Sequence, residues 1–142
     1  MKRAHYLRAL SSDHHQALGL ARMITASEAG AINVPSLCDK VRTLFKTELI
    51  PHFAFEEHVV LPELTRLGES ELVNRTLKEH RLLRELAARL DENGALNEFA
   101  QLLKAHVRFE ERILFAVCQE RFDAYAIATI EKRAIHYARK PY

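Results

Sequence analysis

Long apolar runs are missing from this 142-residue chain, in which charged residues interrupt every hydrophobic stretch. A membrane-spanning helix needs about 18 consecutive apolar residues, so no membrane segment is predicted. The basic stretch from Met1 to His5 is followed by no continuous apolar segment, and we therefore expect no secretory signal. Cysteine is also scarce, because Cys38 and Cys118 are the only two. They cannot build a disulfide framework or a zinc–thiolate site, and they indicate reduced thiols in a cytoplasmic protein.

Glycine and proline are rare, with four residues of each, and tryptophan is absent. So few chain-breaking residues favour long helices over a β-sandwich. The formal net charge is only +2, which is too balanced to indicate a nucleic-acid-binding surface. The hydrophobic fraction of 48% excludes a disordered chain. The length indicates one domain, residues 1–142, that is large enough to bury a core.

Apolar residues recur at helical spacing along most of the chain, and no alternating strand pattern of any length appears. The break from Gly30 to Pro35 separates the first two helices, with Ser36 as the expected N-cap of the second. Pro51 should kink that helix or remove one of its backbone bonds, and Asn93-Gly94 should end the third. We predict an all-α fold, an up-down-up-down four-helix bundle with an additional C-terminal helix. The expected helices cover about residues 4–28, 36–64, 69–91, 96–121 and 123–140.

One motif occurs twice, as His52-Phe-Ala-Phe-Glu56-Glu57 and as His106-Val-Arg-Phe-Glu110-Glu111. Residues four apart are neighbours on one face of a helix, so the histidine and the first glutamate of each motif can reach a common metal ion. The second glutamate of each motif is turned about 100° further round the helix and is expected to face solvent. Glu56 and Glu110 are therefore the candidate ligands.

The apolar stripes of the helices support this interpretation, because both His–Glu pairs lie where core residues are expected. His80 lies on the stripe of the third helix, and His14 lies on that of the first, seven residues after Leu7. His15 is the alternative to His14. A buried carboxylate without a partner costs several kcal/mol, so two of them facing four imidazoles make sense around a cation.

The predicted ligands number one histidine from each of four helices and one glutamate from each of two. They are His14, His52, His80, His106, Glu56 and Glu110. Six protein ligands suit two metal ions if both carboxylates bridge. Imidazole with carboxylate suits iron, manganese or zinc, and a histidine-rich carboxylate site in a bundle favours iron. Ferritin-like di-iron sites need Glu-x-x-His, and no histidine here has an acidic residue three positions before it.

These features, in this order, resemble the hemerythrin-like (His-His-Glu cation-binding) family over about residues 5–118. The resemblance rests on Asp13-His14, on His52-x-x-x-Glu56-Glu57 before Leu61-Pro62, on Glu79-His80, and on His106-x-x-x-Glu110-Glu111 before Leu114-Phe115. It implies a left-handed bundle around a non-haem di-iron centre, with two iron ions joined by an oxo or hydroxo bridge.

The chain departs from the oxygen-carrying hemerythrins on the third helix. Those proteins have two histidines there at i, i+4 spacing, whereas His80 is flanked by Thr76 and Arg84. The pattern is more similar to the four-His, two-Glu centre of iron–sulfur-cluster repair proteins. This similarity implies redox turnover, reaction with O₂, NO or peroxide, or the release of iron.

Several alternatives stay open at this point. Glu48, one turn before His52, is either a hydrogen-bond acceptor behind the ligands, an extra ligand, a proton relay or a helix-end charge. The metal could serve a sensor or binding module without turnover, or a closed zinc site could only staple the bundle. The last helix either covers the bundle end or forms a homodimer contact.

Overall fold

Every regular element of the described chain is helical, which confirms the all-α prediction. The computed structural model describes residues 2–27 and 34–138, and a short 3₁₀ turn, His5–Leu7, precedes the first helix. The five helices, numbered here in chain order, are α1 (Arg8–Ser27), α2 (34–66), α3 (Ser70–Ala87), α4 (95–121) and α5 (Ala124–Ala138).

Two predicted helix boundaries are wrong. Helix α2 begins at Val34, so Ser36 lies inside its first turn and is not the N-cap. Helix α3 ends at Ala87, before the predicted end at Asp91, and residues 88–94 form turns before α4. Residues 30–33 of the predicted break, and the expected helix ends at Glu28 and Lys140, lie outside the described residues, whereas Val34 and Pro35, the end of that predicted break, are helical.

Three wider π turns interrupt α2 and α4. They span Phe45–Leu49, Glu56–Val60 and Glu110–Leu114. The first lies directly before the segment Ile50–Phe55, in which Pro51 is one of the first residues. The widened turn gives room where Pro51 has no N–H to donate and where its ring would press on the preceding turn. The other two begin at the candidate ligands Glu56 and Glu110.

The up-down-up-down order follows from two apolar cores, one at each end of the bundle. Helix α1 starts in the core that contains Leu7 and ends in the core that contains Ile24. Helix α3 runs the same way, whereas α2 and α4 run from the Ile24 core to the Leu7 core. A layer of buried histidines and glutamates separates the two cores. The fold therefore places the candidate ligands between the two cores.

Helix α5 lies against the bundle rather than extending from it. It contacts the first turn of the chain and the π turn Glu56–Val60, and it buries Ala126 and Ile130 in the Leu7 core. Among the described residues, no helix combines the length and the apolar character that crossing a membrane requires. Helix α5 is therefore a fifth element of the fold, and it lies beside the segment that contains the candidate ligand Glu56.

Two glycines should respond in opposite directions to replacement by alanine. Gly94 precedes α4 with φ +82°, a left-handed conformation, whereas Gly19 lies inside α1, and an added Cβ meets no atom within 4 Å at either position. Gly94→Ala should destabilise the protein by about 1 kcal/mol, and Gly19→Ala should stabilise it by about 0.5–1 kcal/mol. Urea unfolding of both variants measures this, and a shift of the same sign in both would contradict it.

Candidate metal centre

The doubled motif places two His–Glu pairs in the interior of the bundle. His52 and Glu56 on α2, and His106 and Glu110 on α4, have at most 1% of their surface exposed. His80 on α3 is fully buried, and His14 on α1 is buried as well. The structure thus brings all six predicted ligands into one layer between the two cores.

The six side chains form two groups, and within each group one nitrogen or oxygen atom from every residue lies within 4.8 Å of those of the others. The first group is His14, His52, Glu56 and Glu110, and the second group is Glu56, His80, His106 and Glu110. Both groups contain the same two carboxylates, Glu56 and Glu110, so the groups are adjacent and each could hold a metal ion.

The Glu110 carboxylate turns one oxygen toward each group. Its Oε1 lies 2.8 Å from Nε2 of His14 and 3.7 Å from Nε2 of His52. Its Oε2 lies 3.2 Å from Nε2 of His106 and 3.7 Å from Nε2 of His80. Glu56 approaches both groups through Oε1, which lies 3.4 Å from His52 Nε2 and 3.1 Å from His80 Nε2. The two oxygens of Glu110 therefore face different groups, whereas Glu56 approaches both groups through one oxygen.

Most of these inward-facing atoms are buried without a hydrogen bond. They are Nε2 of His52, His80 and His106, both oxygens of Glu56, and Oε2 of Glu110. Buried polar atoms are nearly always hydrogen-bonded, since leaving one unsatisfied costs about 1–3 kcal/mol. Six such atoms that face one another fit the donor set of a metal centre, because a cation satisfies them all.

Each of the four histidines donates its outer Nδ1–H to a carboxylate on a neighbouring helix. These outer carboxylates are Asp13, Glu57, Glu79 and Glu111. The Nδ1-to-oxygen distances are 2.8 Å for His14–Glu111, 2.9 Å for His52–Asp13, 2.6 Å for His80–Glu57 and 2.7 Å for His106–Glu79. Such bonds orient each ring and direct its Nε2 inward, where a neutral imidazole would offer the Nε2 lone pair to a metal ion.

The outer carboxylates form a closed ring around the bundle. Asp13 on α1 serves α2, Glu57 on α2 serves α3, Glu79 on α3 serves α4, and Glu111 on α4 serves α1. Each of them is adjacent in sequence to one of the six candidate ligands. The same four contacts that orient the imidazoles thus also tie each helix to the next.

The prediction that Glu57 and Glu111 face solvent is wrong. Their side chains are only 19% and 31% exposed, because a turn of about 100° from the ligand stripe points them at the next helix rather than at water. Sequence reasoning also missed the orienting roles of Asp13 and Glu79. The signal was present, since both directly precede a predicted ligand.

The buried histidines and glutamates strongly shift one another's pKa values. Burial lowers the pKa of His80, but the neighbouring carboxylates of Glu110 and Glu56 and the hydrogen bond with Glu57 outweigh that effect and raise the pKa to about 10. Burial also lowers the pKa of His106, and the charge of Glu110 raises it to about 9. The hydrogen bond from His80 lowers the pKa of Glu57 to about 2. Without a metal ion, protons on the imidazoles therefore balance the buried carboxylates.

The two alternative residues lie outside both groups. His15 is exposed on α1. Glu48 is half-buried and lines a small cavity between α1 and α2 together with Asp13, so it lies beside an outer carboxylate rather than at the ligand atoms. Cys38 and Cys118 are both free and buried.

Comparison with protein families identifies one match. The family model described as the hemerythrin HHE cation binding domain matches residues 5–118. This range contains all six candidate ligands and the four outer carboxylates, and it ends before α5. The comparisons with curated proteins and with solved structures returned no match.

Proposed function

The chain belongs to the hemerythrin HHE cation-binding family, and on that premise we propose that it is a non-haem di-iron protein that binds or reacts with O₂, NO or peroxide. The observation that carries this proposal is the set of buried ligand atoms without hydrogen bonds, together with the two-sided orientation of Glu110. Each ion would take two imidazoles and share Glu56 and Glu110 with its neighbour.

The mixed donor set favours iron among the candidate metals. Imidazole and carboxylate together suit iron, manganese or zinc. A structural zinc site is typically closed by four ligands of its own, whereas here the two groups share both carboxylates. A bound iron pair would supply Lewis-acid and redox chemistry toward a small ligand.

The protein side chains hold and orient rather than react. The four Nδ1–H bonds keep each Nε2 directed inward, and the burial of His52 and Glu110 keeps bulk water away from the ligand layer. Neither Thr76, four residues before His80, nor Arg84, four residues after it, supplies the second imidazole that oxygen-carrying hemerythrins have on this helix, and the Thr76 hydroxyl donates to the Leu72 carbonyl. One imidazole fewer favours turnover or iron release over reversible oxygen carriage.

Iron loading of matched variants tests the proposal. Protein reconstituted anaerobically with Fe²⁺ should hold about two irons per chain, as two ligand groups require, and its visible spectrum should change on exposure to O₂, NO or peroxide. His14→Ala should lose iron from the first group, because it removes an imidazole from that group. The control is His15→Ala, one residue away and exposed, which should match the wild type.

One result would contradict this function, and another would select ligand binding over reaction. A protein that retains zinc and excludes iron would indicate a metal that only staples the bundle. A loaded protein that binds NO or O₂ without turnover, and whose ligand-bound form binds a partner protein, would indicate a sensor rather than an enzyme.

A further inference from the structure

Helix α5 reaches the metal centre through one side chain. The hydroxyl of Tyr137 donates to Oδ2 of Asp13, the same oxygen that accepts Nδ1–H of His52. The contact joins residues 124 positions apart in the chain. Tyr137 lies beyond residue 118, where the family match ends, so this contact is an addition to the matched domain.

A second contact seats the Tyr137 ring beside the ligand layer. The ring centroid lies 4.8 Å from that of Phe55, which is buried and directly precedes Glu56. Helix α5 also packs against the π turn that begins at Glu56. The phenol is therefore held by packing as well as by its hydrogen bond, and this gives it a defined position relative to Asp13.

Each of the other three outer carboxylates also accepts from a guanidinium, and Glu111 accepts from the Ser11 hydroxyl at 2.8 Å as well. The pairs are Arg3–Glu111 at 3.4 Å, Arg84–Glu57 at 3.0 Å and Arg75–Glu79 at 3.0 Å. Each of these arginines lies over a phenylalanine ring, which limits its movement. Every outer carboxylate thus has a donor on its outer side, and for Asp13 that donor includes a neutral phenol.

The donor on the outer side of Asp13 matters because this carboxylate borders the small cavity that Leu20, Leu44 and Glu48 also line. A carboxylate beside a cavity has space to rotate. If Asp13 turned away, His52 would lose the acceptor that fixes its ring and its tautomer. The Tyr137 hydroxyl opposes that rotation by binding the same oxygen.

We propose that Tyr137 is a positioning residue of the metal centre, which acts through Asp13 to hold His52 in the orientation that binds metal. Helix α5 is then part of the metal site and not only a cover for the bundle. This inference rests on the proposed metal binding, and it concerns the first group specifically, because His52 belongs only to that group.

The experiment measures metal release from the 142-residue protein loaded with Co²⁺, using excess chelator and the visible spectrum of the ion. Metal release from two positions should occur in two phases. The His106→Ala variant lacks a ligand of the second group, so the phase that it retains belongs to the first group. Tyr137→Phe should accelerate that phase by about threefold to tenfold, less than the tenfold to hundredfold typical of a residue that touches a ligand directly. It should leave the other phase unchanged and shift the Co²⁺ spectrum.

Two comparisons separate positioning from a purely structural role. Tyr125→Phe removes a hydroxyl from an exposed residue of the same helix and should release metal like the wild type. In an Asp13→Asn background, Tyr137→Phe should add little, because the residue through which it acts is already altered. Thermal unfolding of the metal-free variants checks that α5 stays in place.

Equal acceleration of both phases, full additivity with Asp13→Asn, or release and spectrum identical to the wild type would overturn the role of Tyr137. A wild-type protein that retains no metal would overturn the proposed function along with it. A wild type with two ions and an unaffected Tyr137→Phe variant would overturn this inference alone.

Discussion

A Glu110→Ala variant is expected to lose both metal ions, whereas a His106→Ala variant is expected to lose one. Glu110 belongs to both ligand groups, and each of its oxygens faces the imidazoles of a different group. Its removal takes one of the two carboxylates from each group, and the remaining carboxylate, Glu56, cannot replace it alone. His106 belongs only to the second group, so the first group keeps its full set.

Metal analysis of purified protein measures the effect as ions per chain, from about two in the wild type to none in Glu110→Ala. Glu120→Ala provides the control, since Glu120 is an exposed glutamate on the same helix and should leave the metal content unchanged. Circular dichroism confirms that each variant is helical. Retention of one ion by Glu110→Ala would show that the carboxylate does not bridge.

Stability should depend on pH in opposite directions with and without metal. In the metal-free protein the pKa values of His80 and His106 are raised to about 10 and about 9, from 6.5 for an ordinary histidine. Between pH 6.5 and 9 the folded state therefore holds more protons than the unfolded state. The stabilisation that these protons give to the folded state is complete below pH 6.5 and is lost as the pH rises through 9 and 10.

Metal reverses this dependence because it binds neutral imidazole and must displace those protons. The loaded protein should gain stability from pH 6 to pH 8 and release metal on acidification. The metal-free protein should lose about 1.4 kcal/mol per pH unit for each additional proton that its folded state holds. The depressed pKa of Glu57, about 2, places its own transition far below this range.

Urea unfolding of the loaded and the metal-free protein at pH 6, 7, 8 and 9 measures the free energy of unfolding of each form. The two forms should change in opposite directions with pH. A His106→Gln variant without metal should show a shallower decline, because it lacks one of the two titrating imidazoles. Parallel curves for the loaded and metal-free protein would mean that the buried imidazoles are not the metal ligands.

The sequence predicted those features of the site that depend on residue spacing within a single helix. His52 with Glu56, and His106 with Glu110, lie on one face because they are four residues apart. The apolar stripe likewise distinguished His14 from His15, since one step along a helix turns a side chain by about 100°. The all-α class followed from helical periodicity and from the scarcity of glycine and proline.

The helix boundaries and the π turns were less accessible. Ser36 is a good capping residue, yet the helix begins at Val34. Capping preference is worth only about 1 kcal/mol, and Pro35 suits the first turn of a helix because its missing N–H would have no partner there. A π turn adds one residue to a helical turn, and the apolar spacing in sequence does not separate it from a regular helix.

The sequence by itself determined the residue types, the helical class and the six side chains that point into the bundle, because each of these depends on spacing within one helix. Tertiary structure alone decided which carboxylate orients which histidine and that Tyr137 reaches Asp13. Those partners lie on different helices, and a residue adjacent to a ligand meets solvent or a neighbouring helix according to how the helices pack. Spacing along one chain segment carries no information about that packing.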